Sequence, residues 1–279
     1  MKKTAGKGSI GVFDSGFGGI AILKEVRKAL PNYRYIYLGD TARTPYGTRS
    51  MDVVHEFTLE AIDFLFEKGC EIIVVACNTA SAEALRRIQR EYLPRRHPDR
   101  RVLGVIVPVL EEAIDVSRSG RIGVLATEGT VRSGKFPKEL RKMRRDMEVF
   151  QQSAPLLVPL VEEGEHRSQA ARLMLRTYLA PLKRRRIDTL ILACTHYGHF
   201  EKMIAREMGS RVSIISEGKV IASKLKDYLR RHPEIDAKLA HTQGTTFYTT
   251  DLTDKFKTIG ARLFGRPIAP RKAVLKHVV

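Results

Sequence analysis

The chain has 279 residues, 43% of them hydrophobic and 29% charged, and no apolar run approaches the ~20 residues that span a bilayer, which excludes wholesale disorder and a helical membrane protein. Its three cysteines, Cys70, Cys77 and Cys194, are too few and too scattered for a disulfide framework or a paired C-x-x-C zinc site. With 49 basic against 31 acidic residues the net charge is +18, which raises nucleic acid as a partner; no nucleic-acid motif accompanies the basic runs, so they read as solvated surface.

The length suits two domains. The basic first residues precede no apolar signal-peptide core, so the expectation is a cytoplasmic protein with free thiols. Strand-like runs then alternate with helix-period segments, the pattern of parallel α/β units. Ile10 to Phe13 reads as a strand. Ile20, Leu23, Val26 and Leu30 share a helical face that Pro31 stops, and Tyr35 to Leu38 is the next strand. Ser50 caps a helix that turns Val54, Phe57, Ala61, Phe64 and Leu65 inward and ends at Gly69.

Further strands are expected at Ile72 to Ala76, Val102 to Val107, Ile122 to Ala126, Ile187 to Ala193, Val212 to Ile215 and Thr246 to Thr250. Helical patterns lie around Leu110 to Val116, Gln169 to Leu179, Phe200 to Met208, Val220 to Leu229 and Leu252 to Phe264. Two segments recur. Ser9 to Gly16 resembles Arg121 to Glu128 at an offset of 112 residues, and Ile73 to Thr79 resembles Leu190 to His196 at an offset of 117, as if one α/β unit were used twice.

Cys77 and Cys194 each follow a buried-strand pattern, where open α/β sheets place ligand sites. A helix N-terminus after each would offer free backbone N–H groups and lower the thiol pKa from about 8.5 toward neutrality, making a usable base. Cys70, ahead of its strand, reads as core. The run Asp14-Ser15-Gly16-Phe17-Gly18-Gly19 does not match the dinucleotide fingerprint, and its glycines suit close approach of backbone to a small ligand. Asp14 reads equally as a cap or a base. Glu162 alone could be a surface acid, and His196 alone a packed histidine.

Together, Val12 to Gly19 (VFDSGFGG), Leu38 to Gly47 (LGDTARTPYG), Val75 to Ala82 (VACNTASA), Val158 to Gly164 (VPLVEEG) and Ala193 to Gly198 (ACTHYG) closely resemble the glutamate racemases of the cofactor-independent aspartate/glutamate racemase superfamily. The resemblance implies an α/β fold of two pseudo-symmetric three-layer domains with mainly parallel sheets and the active site between them. Residues 1–101 with 214–279 would form the first domain and 102–213 the second. Cys77 and Cys194 would be the two bases, Asp14 assisting Cys77, and Glu162 and His196 assisting Cys194.

By the same resemblance Asp14, Ser15, Pro45, Tyr46, Gly47, Asn78, Thr79, Thr195 and His196 would bind substrate. The implied reaction interconverts L- and D-glutamate in a homodimer, supplying peptidoglycan synthesis, with no pyridoxal, metal or nucleotide as reactant. Aspartate or another amino acid is the alternative substrate. The charge motivates a second role, binding DNA or DNA gyrase. Two departures stand out: Ala154-Pro155 where the family often has Cys-Pro, and Gly198 where it commonly has Pro.

Overall fold

A computed structural model describes residues 6–278. Among the described residues ten strands form two sheets: β1 (Ser9–Asp14), β2 (Arg34–Gly39), β3 (Cys70–Val75), β4 (Arg101–Gly104), β5 (Arg121–Ala126), β6 (Glu148–Ser153), β7 (Thr189–Ala193), β8 (Ser213–Ile215), β9 (Gly244–Thr249) and β10 (Pro270–Lys272). The first sheet has the order β10-β9-β2-β1-β3-β4 and the second β6-β5-β7-β8, every pair parallel. Within them, β2-β1-β3-β4 and β6-β5-β7-β8 repeat one wiring.

Register makes the repeat concrete. Gly11 pairs with Ile73 in the first sheet and Gly123 with Leu190 in the second, and these residues stand at the two offsets of 112 and 117 read from the sequence. The repeated segments therefore occupy matching positions in matching sheets. β4 hydrogen-bonds to β3, so the first sheet runs a few residues past the expected boundary at 101/102, while β8 straddles the one at 213/214.

Most elements arise where their patterns place them. Ser50 accepts a hydrogen bond from the Val53 N–H and starts the helix Met51–Glu67; Gly69, at φ 84°, supplies the left-handed turn after its end. The expected strand Val102 to Val107 is corrected: only Arg101–Gly104 is extended, and Ile106–Val116 is helix. A short apolar run fits either state, and its pairing with β3 decides how far the strand runs. β6 was not foreseen, because it is an edge strand with a mostly polar, half-covered sequence.

Several of the basic pairs have a local physical account. Arg27-Lys28, Arg95-Arg96, Arg141-Lys142, Lys183-Arg184 and Arg230-Arg231 each occupy the last turn of a helix, where cations complement the negative end of the dipole. No helix among the described residues is long and apolar enough to cross a membrane.

Candidate active site

All the candidate residues lie at or beyond the carboxyl ends of strands, the edge where parallel sheets gather ligands. Asp14 ends β1, Cys77 follows β3, and Cys194 follows β7. The thiols are 6% and 8% exposed and sit near enough for the charge on one to raise the pKa of the other.

Around Cys77 the partners come from the end of β1 and the residue after it. Its Sγ lies 3.4 Å from Ser15 Oγ, and Asp14, fully buried, accepts from the Gly16 N–H at 3.0 Å. Cys77 caps the short helix Asn78–Glu83 as expected. Around Cys194 the partners are in file: its Sγ is 3.8 Å from His196 Nδ1, and His196 Nε2 is 3.4 Å from Glu162 Oε1. Glu162 closes the short helix Leu157–Glu162 that follows β6. No α-helix begins directly after Cys194; a 3₁₀ turn, Tyr197–Phe200, intervenes.

The two units touch here. Thr195 Oγ1 donates to Asp14 Oδ1 at 3.3 Å, the Phe17 and His196 rings meet edge-on at 5.5 Å, and Thr79 Oγ1 lies 2.9 Å from Thr127 Oγ1. Gly18 is required by this approach, since a Cβ there would lie 2.3 Å from Thr195 Oγ1.

Tyr46 and Gly47 are buried, Gly47 against Thr127, while Pro45, joined to Thr44 by a cis bond, is exposed on the loop. The Tyr46 hydroxyl donates to the buried Asp40 at 2.5 Å, and Arg43 pairs with both Asp40 and Glu60 while covering the Phe57 ring. The phenol is therefore engaged by the protein, which leaves the loop's backbone as its polar face. Phe57 is half-buried for the same reason: the guanidinium lies over it.

The expected lowering of the thiol pKa values is overturned. Burial pushes Cys77 up to about 12, the Asp14 charge adds to this, and hydrogen bonds from Ser15 and the backbone at Ala80 and Ser15 only partly offset it. Cys194 is also held well above the ordinary thiol range by burial, against a bond from the His196 backbone. Desolvation of a thiolate outweighs a few N–H groups in a site this enclosed. Burial raises Asp14 as well, opposed by the nearby His196 and by bonds from Gly16, Gly19 and Thr195.

Three residues that the sequence pattern does not single out adjoin the candidate residues. Thr127 and Thr130 extend the hydroxyl cluster at Thr79, and Thr127 stands 112 residues after Ser15, so the internal repeat already marked it. Glu217 is the third: it begins the helix Glu217–Arg231, is 5% exposed, and accepts from Asn78 Nδ2 at 2.7 Å. Burial pushes its carboxyl up to about 8, with Asn78 lowering it and Asp14 raising it. Cys194, Thr195 and Glu217 line one crevice of about 630 Å³. Cys70 is fully buried core, as expected. Among the described residues, the three potential ligands that do converge, Glu56, Glu60 and His277, lie on the Met51–Glu67 helix and the C-terminal segment, and do not include the thiols.

Residues 20–225 match the family model of the Asp/Glu/hydantoin racemases. A glutamate racemase of Geobacter metallireducens is 40% identical over 258 residues, covering 92% of this chain and 93% of its own. Among solved structures, a Bacillus anthracis glutamate racemase superposes with a TM-score of 0.88 at 34% identity, covering 96% of this chain and 98% of its own. The Francisella tularensis glutamate racemase solved with D-glutamate gives 0.85 at 29% identity, with coverages of 96% and 97%. Two sheets of one wiring, a thiol at the end of the third strand of each repeat, and these matches along nearly the whole length agree: the chain belongs to the Asp/Glu/hydantoin racemase family.

Proposed function

We propose that this chain interconverts L- and D-glutamate by moving the α-proton between the two faces of the amino acid, with Cys77 on one face and Cys194 on the other. The observation that carries the reading is the pair of buried thiols at equivalent strand ends of two facing sheets, each with its own polar partners. The likeness to glutamate racemases over most of the chain supports glutamate as substrate.

Inversion at carbon requires removal of a proton from one side and delivery to the other. In one direction Asp14 takes the Cys77 proton, the Cys77 thiolate takes the α-proton, and the Cys194 thiol supplies a proton to the opposite face. His196, backed by Glu162, then returns a proton to Cys194, and exchange with solvent removes the proton from Asp14 and restores the one His196 gave up. The roles exchange for the other enantiomer. Because burial keeps both thiols protonated in the free site, the thiolate forms only once the substrate's α-ammonium brings positive charge beside it. Such positioned proton transfer is worth about 10²- to 10⁴-fold in rate. Ser15, the Tyr46–Gly47 backbone, Thr79 and Thr195 would hold the α-carboxylate and Asn78 the α-ammonium, with Pro45 shaping the loop.

In this reading the cleft lies between the two units expected from the sequence, the enzyme works as a cytoplasmic homodimer, and its D-glutamate feeds peptidoglycan synthesis. The test follows α-proton exchange of L-glutamate in D₂O together with optical rotation, with no cofactor added. Deuterium uptake with loss of rotation is expected. Absence of exchange with glutamate, alongside exchange with aspartate, would replace the substrate.

A further inference from the structure

Asn78 and Glu217 come from distant parts of the chain, the first just after β3 and the second at the crossing from β8 back toward the first sheet. Both are almost completely buried, at 2% and 5% exposure. Asn78 Nδ2 donates to Glu217 Oε1 at 2.7 Å, and Asn78 Oδ1 is left buried without a partner.

An asparagine amide presents a donor end and an acceptor end, and turning it over exchanges them. A carboxyl keeps an accepting oxygen whether or not it is protonated, and here that oxygen takes the Nδ2 donor, which turns Oδ1 away from Glu217. A buried acceptor with no partner costs about 1 to 3 kcal/mol unless something donates to it. Such an oxygen suits a cationic N–H donor. Asn78 directly follows Cys77 in the chain, and the charge of Asp14 is felt at the amide's partner Glu217.

We propose that Glu217 is a positioning residue that fixes the Asn78 amide so that Oδ1 receives the α-ammonium group of the substrate. The inference rests on the amino-acid racemase reading given above. Glu217 touches Asn78 rather than substrate, and its effect passes through that amide. With the hold removed, the amide turns between two orientations, one of which points N–H groups at the ammonium.

The experiment is a double-mutant cycle with glutamate, combining Glu217→Ala with Asn78→Ala and measuring kcat and KM for all four proteins. Glu217→Ala is expected to raise KM about tenfold with a smaller change in kcat, and Glu217→Gln, whose amide oxygen can still accept, to recover most of the loss. In the Asn78→Ala background the further change at 217 is expected to be under about twofold, since interacting residues are non-additive. Independent multiplication of the two effects would overturn the proposal, as would wild-type KM in Glu217→Ala. Should Glu217→Ala fail to fold, Glu217→Gln and Glu217→Leu carry the same comparison, checked first by thermal melting. Wild-type exchange in D₂O is measured alongside: its absence would sink the racemase reading, whereas wild-type exchange with an additive cycle would sink only the role of Glu217.

Discussion

Thr195 Oγ1 donates a 3.3 Å hydrogen bond to Asp14 Oδ1, joining the loop after β7 to the last residue of β1. Gly18 lies against the same threonine. A bond to a charged acceptor contributes about 1.5 to 3 kcal/mol. Thr195→Val should therefore lower kcat/KM roughly tenfold or more. Gly18→Ala should do at least as much by pushing the loops apart, with little change in melting temperature. Steady-state kinetics on both variants checks this, and wild-type activity in Gly18→Ala would show that the contact is dispensable.

Cys77→Ser and Cys194→Ser should each reduce racemisation by about 10³-fold or more, since a hydroxyl is a far poorer proton carrier at this position. Cys70→Ser, in the core, should change stability and leave turnover of the folded protein near wild type. Comparable activity losses in all three would remove the special standing of the two site thiols.

Tyr197, fully buried, donates to the carbonyls of Ala154 at 2.8 Å and Ala126 at 3.2 Å, tying the ends of β6 and β5 beneath the Cys194 loop. Tyr197→Phe removes one donor from each carbonyl while Ala154 O keeps the Leu157 N–H and Ala126 O the Ala154 N–H, so the loss is that of ordinary hydrogen bonds, about 0.5 to 1.5 kcal/mol each. A fall in melting temperature of several degrees is expected by calorimetry. An unchanged melting point would mean that the backbone N–H donors alone satisfy these carbonyls.

Gly198 departs from the family's usual proline, yet its φ is not positive and a Cβ there would meet nothing within 4 Å. Gly198→Ala should stabilise the protein by about 0.4 to 1 kcal/mol through the unfolded chain, at unchanged kcat. Denaturant melts decide the sign.

Glu217 gives stability a pH dependence of definite direction. Its folded pKa, about 8, lies above the ordinary carboxylate value, so across the interval from about 4.5 to 8 the unfolded chain has lost a proton that the folded protein keeps. The stability it contributes is complete below that interval and declines as pH rises through it. Glu217→Gln cannot titrate. Relative to wild type it should gain at least about 3 °C in melting temperature between pH 5 and pH 8, given about 1.4 kcal/mol per pKa unit and about 2–4 °C per kcal/mol. Parallel melting curves for the two proteins would refute the assignment.

Legibility in the sequence follows how local each feature is. The strand-ending thiols, the Ser50 cap and the repeat that registers Gly11 with Gly123 are short-range patterns, and each falls where its pattern puts it. Glu217 could not be found this way: an acid in the first turn of a helix is ordinary dipole compensation, and only the chain crossing brings it to Asn78. The direction of the thiol pKa shifts was likewise hidden, because it depends on enclosure by both sheets. β6 escaped because edge strands need not be apolar.

In the proposed reaction the matched wiring of the two sheets sets thiol against thiol across the substrate, but their attendants differ: a carboxyl and a hydroxyl for Cys77, an imidazole backed by a carboxylate for Cys194. Enantiomers have equal free energy in water, so whatever this lopsidedness does, kcat/KM for the L and D forms must come out identical. The asymmetry can show itself only in how each form divides that ratio. One enantiomer will be held tighter and turned over more slowly, and the other looser and faster.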